Sequence, residues 1–333
     1  MKQSRILLTV LFPLFAFATL MHTVRTQASP TAPNTIITVN SSLDATDINP
    51  GDGICETGVG NGICTLRAAV QETNSLPGAD TINLPAMTLY LTVLGSYDDD
   101  VAAWGDFDIT DDLTINGTDT LTSIIDGNNL DRIFEIHNDS QVHFDQLTIQ
   151  NGLATNLGTN VAEGAAIYNE SGTLTVTNTI FRDNLAWRGG AIANAGSTAT
   201  LTVSNSYFIS NTATQGGSIY LAFSYATLSD SVVQNNIASS GNGGGIGSWG
   251  GVMTVTDSLI ENNQAEMGIG GGISNQSGTS MGELFIKNSI ISGNVAYDGG
   301  GVQSSKHIFI QDSQIRDNIA LGGGGEFFLL IPL

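Results

Sequence analysis

The sequence predicts an all-β fold, a right-handed single-stranded parallel β-helix closed at its N-terminal end by a small capping helix. Three observations lead there. A Gly-Gly-x-Ile element recurs about every 27 residues, a Leu-Thr-Val-Thr-Asn type of segment follows each copy about ten residues on, and an Asn closes each unit. A fixed period of that size marks stacked supersecondary units, none of which can bury its apolar face alone.

The first element reads Gly189-Gly190-Ala191-Ile192, Gly216-Gly217-Ser218-Ile219, Gly243-Gly244-Gly245-Ile246, Gly270-Gly271-Gly272-Ile273 and Gly299-Gly300-Gly301-Val302. With the earlier variant Gly164-Ala165-Ala166-Ile167, the last residues lie 25, 27, 27, 27 and 29 apart. The second runs from Leu174 to Phe181 and returns at Leu201–Phe208, Met253–Ile260, Leu284–Ile291 and Ile308–Ile315, with a weaker copy at Ala226–Val233. Alternation within it sends Leu174 and Val176 one way and Thr175 and Thr177 the other. The Asn or Asp that follows, at Asn178, Asn205, Asp230, Asp257, Asn288 and Asp312, breaks the strand, because these residues tolerate left-handed backbone angles. They form a turn ladder. Asn184, Asn211, Asn236, Asn263, Asn294 and Asn318 come three residues after the last apolar position. Each unit is expected to hold two or three short strands, stacked about 4.8 Å apart in parallel sheets. A leucine-rich repeat would need its own Leu spacing and helix, and a β-propeller a period of about 40–45 residues.

The flanks divide the chain further. Residues 1–28 read as a secretory leader: Lys2 and Arg5, an apolar run from Ile6 to Met21, then small residues at Thr26-Gln27-Ala28. Residues 29–80 form an N-terminal cap. Its one helix spans Thr65–Asn74, capped by Thr65, with Leu66, Ala69 and Val70 as apolar face and Pro77-Gly78 as stop. Residues 81–163 are less regular first coils, with Asn151–Glu163 as a polar loop. Residues 164–325 are the regular coils. Residues 326–333 do not continue the pattern and read as a truncated or frameshifted end.

The chain carries 10 Lys and Arg against 31 Asp and Glu, a net charge of −21. Loss of the leader removes Lys2, Arg5 and Arg25 and takes the net charge to about −24. Nucleic-acid binding rests on clustered cations at phosphates, so that class is excluded. Beyond the leader no apolar stretch reaches the length of a membrane span. Cys55 and Cys64, nine apart in a chain expected outside the cytoplasm, are expected to pair.

Cys64-Thr65-Leu66-Arg67-Ala68-Ala69-Val70-Gln71-Glu72-Thr73-Asn74, followed by Pro77-Gly78-Ala79-Asp80, resembles the CSLREA domain, although the acidic residue of that name is Ala68 here. The Gly-Gly-x-Ile and Phe-x-x-Asn repeats, as in Phe181-Arg182-Asp183-Asn184, resemble those of chlamydial polymorphic outer-membrane proteins. The resemblance implies an exported, cell-surface or secreted β-helix with a role in adhesion.

Parallel β-helices of the pectate-lyase-like kind also carry enzymes, and fold alone does not decide between them. A hydrolase needs paired carboxylates, and in stacked coils these stand at equal phase in adjacent repeats. Asp230 and Asp257 do, but in the turn column, where Asn serves equally. Asp98, Asp99, Asp100, Asp106, Asp108, Asp111 and Asp112 form the densest acidic group, and Asp47, Asn49 and Asp52 resemble an imperfect calcium loop; the first five and the last three are candidate Ca²⁺ ligands. His137, His143 and His307 lack metal-ligand spacing, and Arg182-Asp183 and Arg316-Asp317 read as solvated ion pairs. The reading is a non-catalytic scaffold with no cofactor other than Ca²⁺ at those acids, and with extracellular carbohydrate or host and matrix protein as partners. The alternative is a lyase or hydrolase of acidic polysaccharide, sited within residues 98–163.

Overall fold

The computed structural model describes residues 34–95, 102–137, 139–155, 162–278 and 282–322, with Gly325 and the backbone of 327–329. The expected leader, Asp98, Asp99, Asp100 and most of 326–333 lie outside the described residues.

Alternating apolar residues and left-handed corners wind the chain into a parallel β-solenoid. One regular coil shows the plan: Ile192–Ala195 in sheet I, Thr200–Ser204 in sheet II, Tyr207–Ile209 in sheet III and Thr212–Gln215 in sheet IV. Among the described residues, these sheets hold nine, ten, nine and seven strands respectively. The coil thus has four strands where two or three were expected. The fourth escapes an apolar scan because its only inward residue is alanine, at Ala154, Ala186, Ala213, Ala238, Ala265 and Ala296.

Register places like over like. Leu174 pairs with Leu201, Val176 with Val203, Phe181 with Phe208 and Ile192 with Ile219. Phe181 and Phe208 stack with ring centroids 4.9 Å apart. The early coils share this register despite their uneven connections, with Phe107 over Phe134 and Ile109 over Ile136. Ile36–Thr38, within the segment expected to be cap alone, already pairs in parallel with Asp80–Leu84 as the first strand of sheet II. Leu153–Ala154, expected in a loop, begins sheet IV.

Two polar ladders fix the corners. Asn178, Asn205, Asp230, Asp257, Asn288 and Asp312 all have φ between 47° and 50°. Beside them, Ser206, Ser231, Ser258 and Ser289 accept, through Oγ, the amide of the matching residue in the preceding coil at 3.1–3.2 Å. Between sheets III and IV runs a buried asparagine ladder. The side-chain amides of Asn184, Asn211, Asn236, Asn263 and Asn294 each donate to the next Asn Oδ1 at 2.9–3.1 Å. That Oδ1 also accepts the backbone amide of the previous Asn, and each Nδ2 donates to a carbonyl such as Phe181 O, 3.1 Å from Asn211. Every polar atom of these amides finds a partner, which is the condition for burying them.

The helix, α1, covers Leu66–Ser75, with Thr65 as N-cap accepting from the Ala68 amide at 3.0 Å. Its apolar face closes the first coil. Asn74 stands in for a missing strand, donating to Asp108 O at 2.6 Å and accepting from the Thr110 amide at 3.0 Å. Arg67, fully buried, pairs with Asp44 at 2.5 Å and donates to the carbonyls of Ala102, Gly105 and Asp106. Glu72 accepts the amides of Gly51 and Gly53. The disulfide Cys55–Cys64 closes the loop between them.

Asn211→Ala is expected to lower stability by about 1–3 kcal/mol, the cost of leaving buried donors and acceptors unmet, read from urea unfolding. Asn205→Gly, at an exposed left-handed corner, is expected to change it by less than about 1 kcal/mol.

Candidate functional site

Outward positions of sheet I are not exposed as alternation predicts. Ala193, Tyr220, Ser274 and Gln303 are 0–6% exposed. The cause is the Gly-Gly corner, which folds back over the outer side of the sheet. Gly189 and Gly216 have φ of 61° and 59°. A Cβ on Gly189 would collide with the Ile192 carbonyl, and one on Gly216 would approach Tyr220 Cβ at 3.1 Å. Glycine is therefore required there on both counts. The result is a re-entrant corner between sheets IV and I.

In the regular coils uncharged residues line this corner; in the early coils, before sheet IV begins at Leu153, the same column of sheet I carries charged ones. Asp108 and Glu135 hold the same outward position on adjacent strands, paired in register, and are 2% and 4% exposed. His137, one outward step beyond Glu135, places Nε2 3.1 Å from Asp108 Oδ1 and 3.8 Å from Glu135 Oε1. Its Nδ1 lies 3.9 Å from Glu170 Oε2 on the following coil. One ligand atom from each of Asp108, Glu135 and His137 lies within 4.8 Å of the others.

Arg132 anchors the group. Its Nε donates to Asp106 Oδ2 at 2.7 Å, its Nη2 to Glu135 Oε2, and its guanidinium lies 5.3 Å from the Tyr168 ring centre. Burial alone would lower the Arg132 pKa, but Asp106, Glu135 and Asp131 more than offset it and hold it above its ordinary value. Burial, reinforced by Glu163, Glu170 and Glu135, drives the Tyr168 phenol well above its usual range, so it stays protonated. The motif repeats further along: Arg188 pairs with Glu163 at 2.7 Å and lies 5.3 Å from the Tyr220 ring centre.

Of the candidate Ca²⁺ ligands, Asp106 and Asp108 belong to this cluster. Asp47, Asn49 and Asp52 are engaged locally: Asp47 accepts the amides of Asn49 and Glu56, and Asp52 accepts that of Ile54 and the side-chain amide of Asn49. These carboxylates organise a turn. Arg182 bonds Gln150 at 2.7 Å instead of pairing with Asp183, whereas Arg316 and Asp317 do pair at 2.7 Å, both exposed. The turn ladder borders a groove of about 480 Å³ beside Asp119, Asn178, Asn205 and Tyr207. Trp104, Trp187 and Trp249 are 40–58% exposed and lie apart, Trp104 in the connection before Phe107, Trp187 on sheet IV and Trp249 on sheet I.

Asp108 and Glu135 differ by 27 in number, one repeat period, so the juxtaposition was available to a search at equal phase. It was missed because the repeat is clear only from Gly164 onward. Histidine spacing along the chain was uninformative, since the partners arrive from neighbouring coils.

No family model matches the sequence, and comparison with curated proteins gives no match. Among solved structures, the A-module of mannuronan C-5 epimerase AlgE4 from Azotobacter vinelandii is similar at 11% identity with a TM-score of 0.28, covering 70% of this chain and 86% of that one. So distant a likeness transfers neither residues nor substrate. No helix among the described residues is long and apolar enough to cross a membrane.

Arg132→Met is expected to cost about 3–5 kcal/mol in unfolding free energy, because it strands Asp106 and Glu135 as buried charges. Arg316→Met, removing an exposed pair, is expected to cost less than about 1 kcal/mol.

Proposed function

We propose that the protein is an exported, non-catalytic β-helix scaffold that meets extracellular carbohydrate or matrix protein along the outer face of sheet II. The observation that supports this reading is the regularity of that face. Thr175, Thr202, Thr227 and Thr254 follow one another in register as one outward column, and Thr177, Ser204, Ser229 and Thr256 as the next. Neighbouring hydroxyls in a column repeat every ~4.8 Å and the two columns stand ~6.7 Å apart, twice the rise per residue. In a chain this acidic, the absence of charge from these eight positions leaves a polar surface suited to a neutral, hydroxyl-rich polymer. The same reading takes residues 29–80 as a CSLREA-like cap and the leader as the export signal.

The test is retention of the purified protein on immobilised polysaccharides and matrix proteins. Thr202→Arg/Thr227→Arg is expected to weaken binding at least tenfold while leaving the melting temperature unchanged. Equal retention of the variant, or no retention of the wild type on any of these polymers, would refute the reading.

A second reading is favoured by one specific contact, the 3.1 Å approach of His137 to Asp108 beside Arg132. A carboxylate-oriented imidazole is suited to proton transfer, and a guanidinium to a uronate carboxylate. If polyuronates are cleaved by elimination, ultraviolet absorbance of the unsaturated product should rise with wild type and stay flat with Asp108→Asn. A flat trace with wild type removes this reading.

A further inference from the structure

Asp108, Glu135 and His137 form a ready-made ligand set, and we propose that it binds a divalent first-row transition metal, Zn²⁺ being the reference case. This inference does not depend on the scaffold reading. Its first ground is geometry. Metal bonds of about 2.0–2.2 Å to nitrogen and carboxylate oxygen set neighbouring ligand atoms about 3.0–3.5 Å apart around a tetrahedral or octahedral ion. The imidazole Nε2 stands 3.1 Å from Asp108 Oδ1 and 3.8 Å from Glu135 Oε1. The two carboxylate oxygens lie within 4.8 Å of each other, so both must draw in around the ion to complete the set.

The second ground is the surrounding shell. Ligating histidines commonly turn their other ring nitrogen to a carboxylate, which fixes the tautomer and raises basicity. Here Glu170 Oε2, on a half-exposed side chain of the next coil, stands 3.9 Å from Nδ1, outside hydrogen-bond distance but placed to approach it. Glu135 divides its oxygens: Oε2 is held by Arg132, while Oε1 faces the imidazole. Arg132 is itself fixed by Asp106. Glu135 is thus oriented by a group that does not coordinate.

The third ground is charge. Asp106, Asp108 and Glu135 gather three carboxylates, of which Arg132 pairs with Asp106 and Glu135, and Asp108 and Glu135 are almost wholly removed from water. A divalent ion offsets the remaining mutual repulsion of these buried groups. The imidazole decides the class of ion: oxygen-only sets suit Ca²⁺ and Mg²⁺, whereas mixed nitrogen and carboxylate sets suit Zn²⁺, Mn²⁺, Co²⁺ or Ni²⁺. Three protein ligands leave a further position for water.

The experiment uses tag-free full chain, stripped with chelator, equilibrated with Zn²⁺ or Co²⁺ and desalted. The expected result is one metal per chain, a visible Co²⁺ ligand-field spectrum, and a melting temperature that rises with metal. His137→Gln should remove the spectrum and weaken binding more than 100-fold, and His307→Gln should change neither. Retention well below one equivalent by wild type, displacement of Co²⁺ by equimolar Ca²⁺, or an unchanged spectrum in His137→Gln would each overturn the assignment. Because the first two are read on the wild-type protein, misfolding of a variant does not shelter the proposal.

Discussion

The buried asparagine ladder is the constraint on which the rest of the structure depends. Each amide holds its neighbour in the next coil at 2.9–3.1 Å and ties down a carbonyl of the coil before it. Coils of 25, 27 or 31 residues are thereby brought to the same height at the same point. Extra residues must leave through another corner, so the parallel register survives them. The hydroxyl ladder at Ser206, Ser231, Ser258 and Ser289 does the same one corner earlier. Hydrophobic columns fill the interior, but apolar packing has no direction along the axis. The amides supply that direction.

With height fixed, the position of a side chain follows from its phase in the coil. Corner glycines fold sheet IV back against sheet I and enclose a column that would otherwise face water. Where that column carries alanine or glycine it is inert filling. Before sheet IV begins at Leu153, the same column carries Asp108 and Glu135, and there Arg132 and His137 take the places that solvent would occupy on an open sheet. On sheet II, Thr202 and Thr227 are exposed and Thr175 and Thr254 half-buried, so its threonine columns stay accessible. The same coil therefore offers two surfaces of different chemistry, one recessed and charged, the other flat and hydroxylated.

The cap shows how the end of such a stack is managed. A terminal coil exposes unpaired strand edges that invite aggregation. Asn74 meets the edge at Asp108 and Thr110, Arg67 collects three carbonyls, and Glu72 gathers the glycine amides beside the disulfide loop. These contacts join residues 19–39 positions apart, which is why the helix was readable in the sequence while the roles of Arg67 and Glu72 were not.

The sequence by itself determined the coil. Alternation in Leu174–Thr177, the left-handed preference of Asn178 and its equivalents, and the Gly-Gly period are local properties, and they dictate strands, corners and stacking without reference to distant contacts. Sheet IV stayed hidden because a strand whose only inward residue is alanine leaves no apolar signature. The charged cluster was decided by tertiary structure alone. Asp108, Glu135 and Glu170 come together through three successive coils, and Asp108 and Glu135 are met there by His137 and Arg132, while Glu170 stays half exposed. Chain spacing encodes phase, but whether two in-phase residues face solvent or are covered depends on how the neighbouring connections and sheets fold over them.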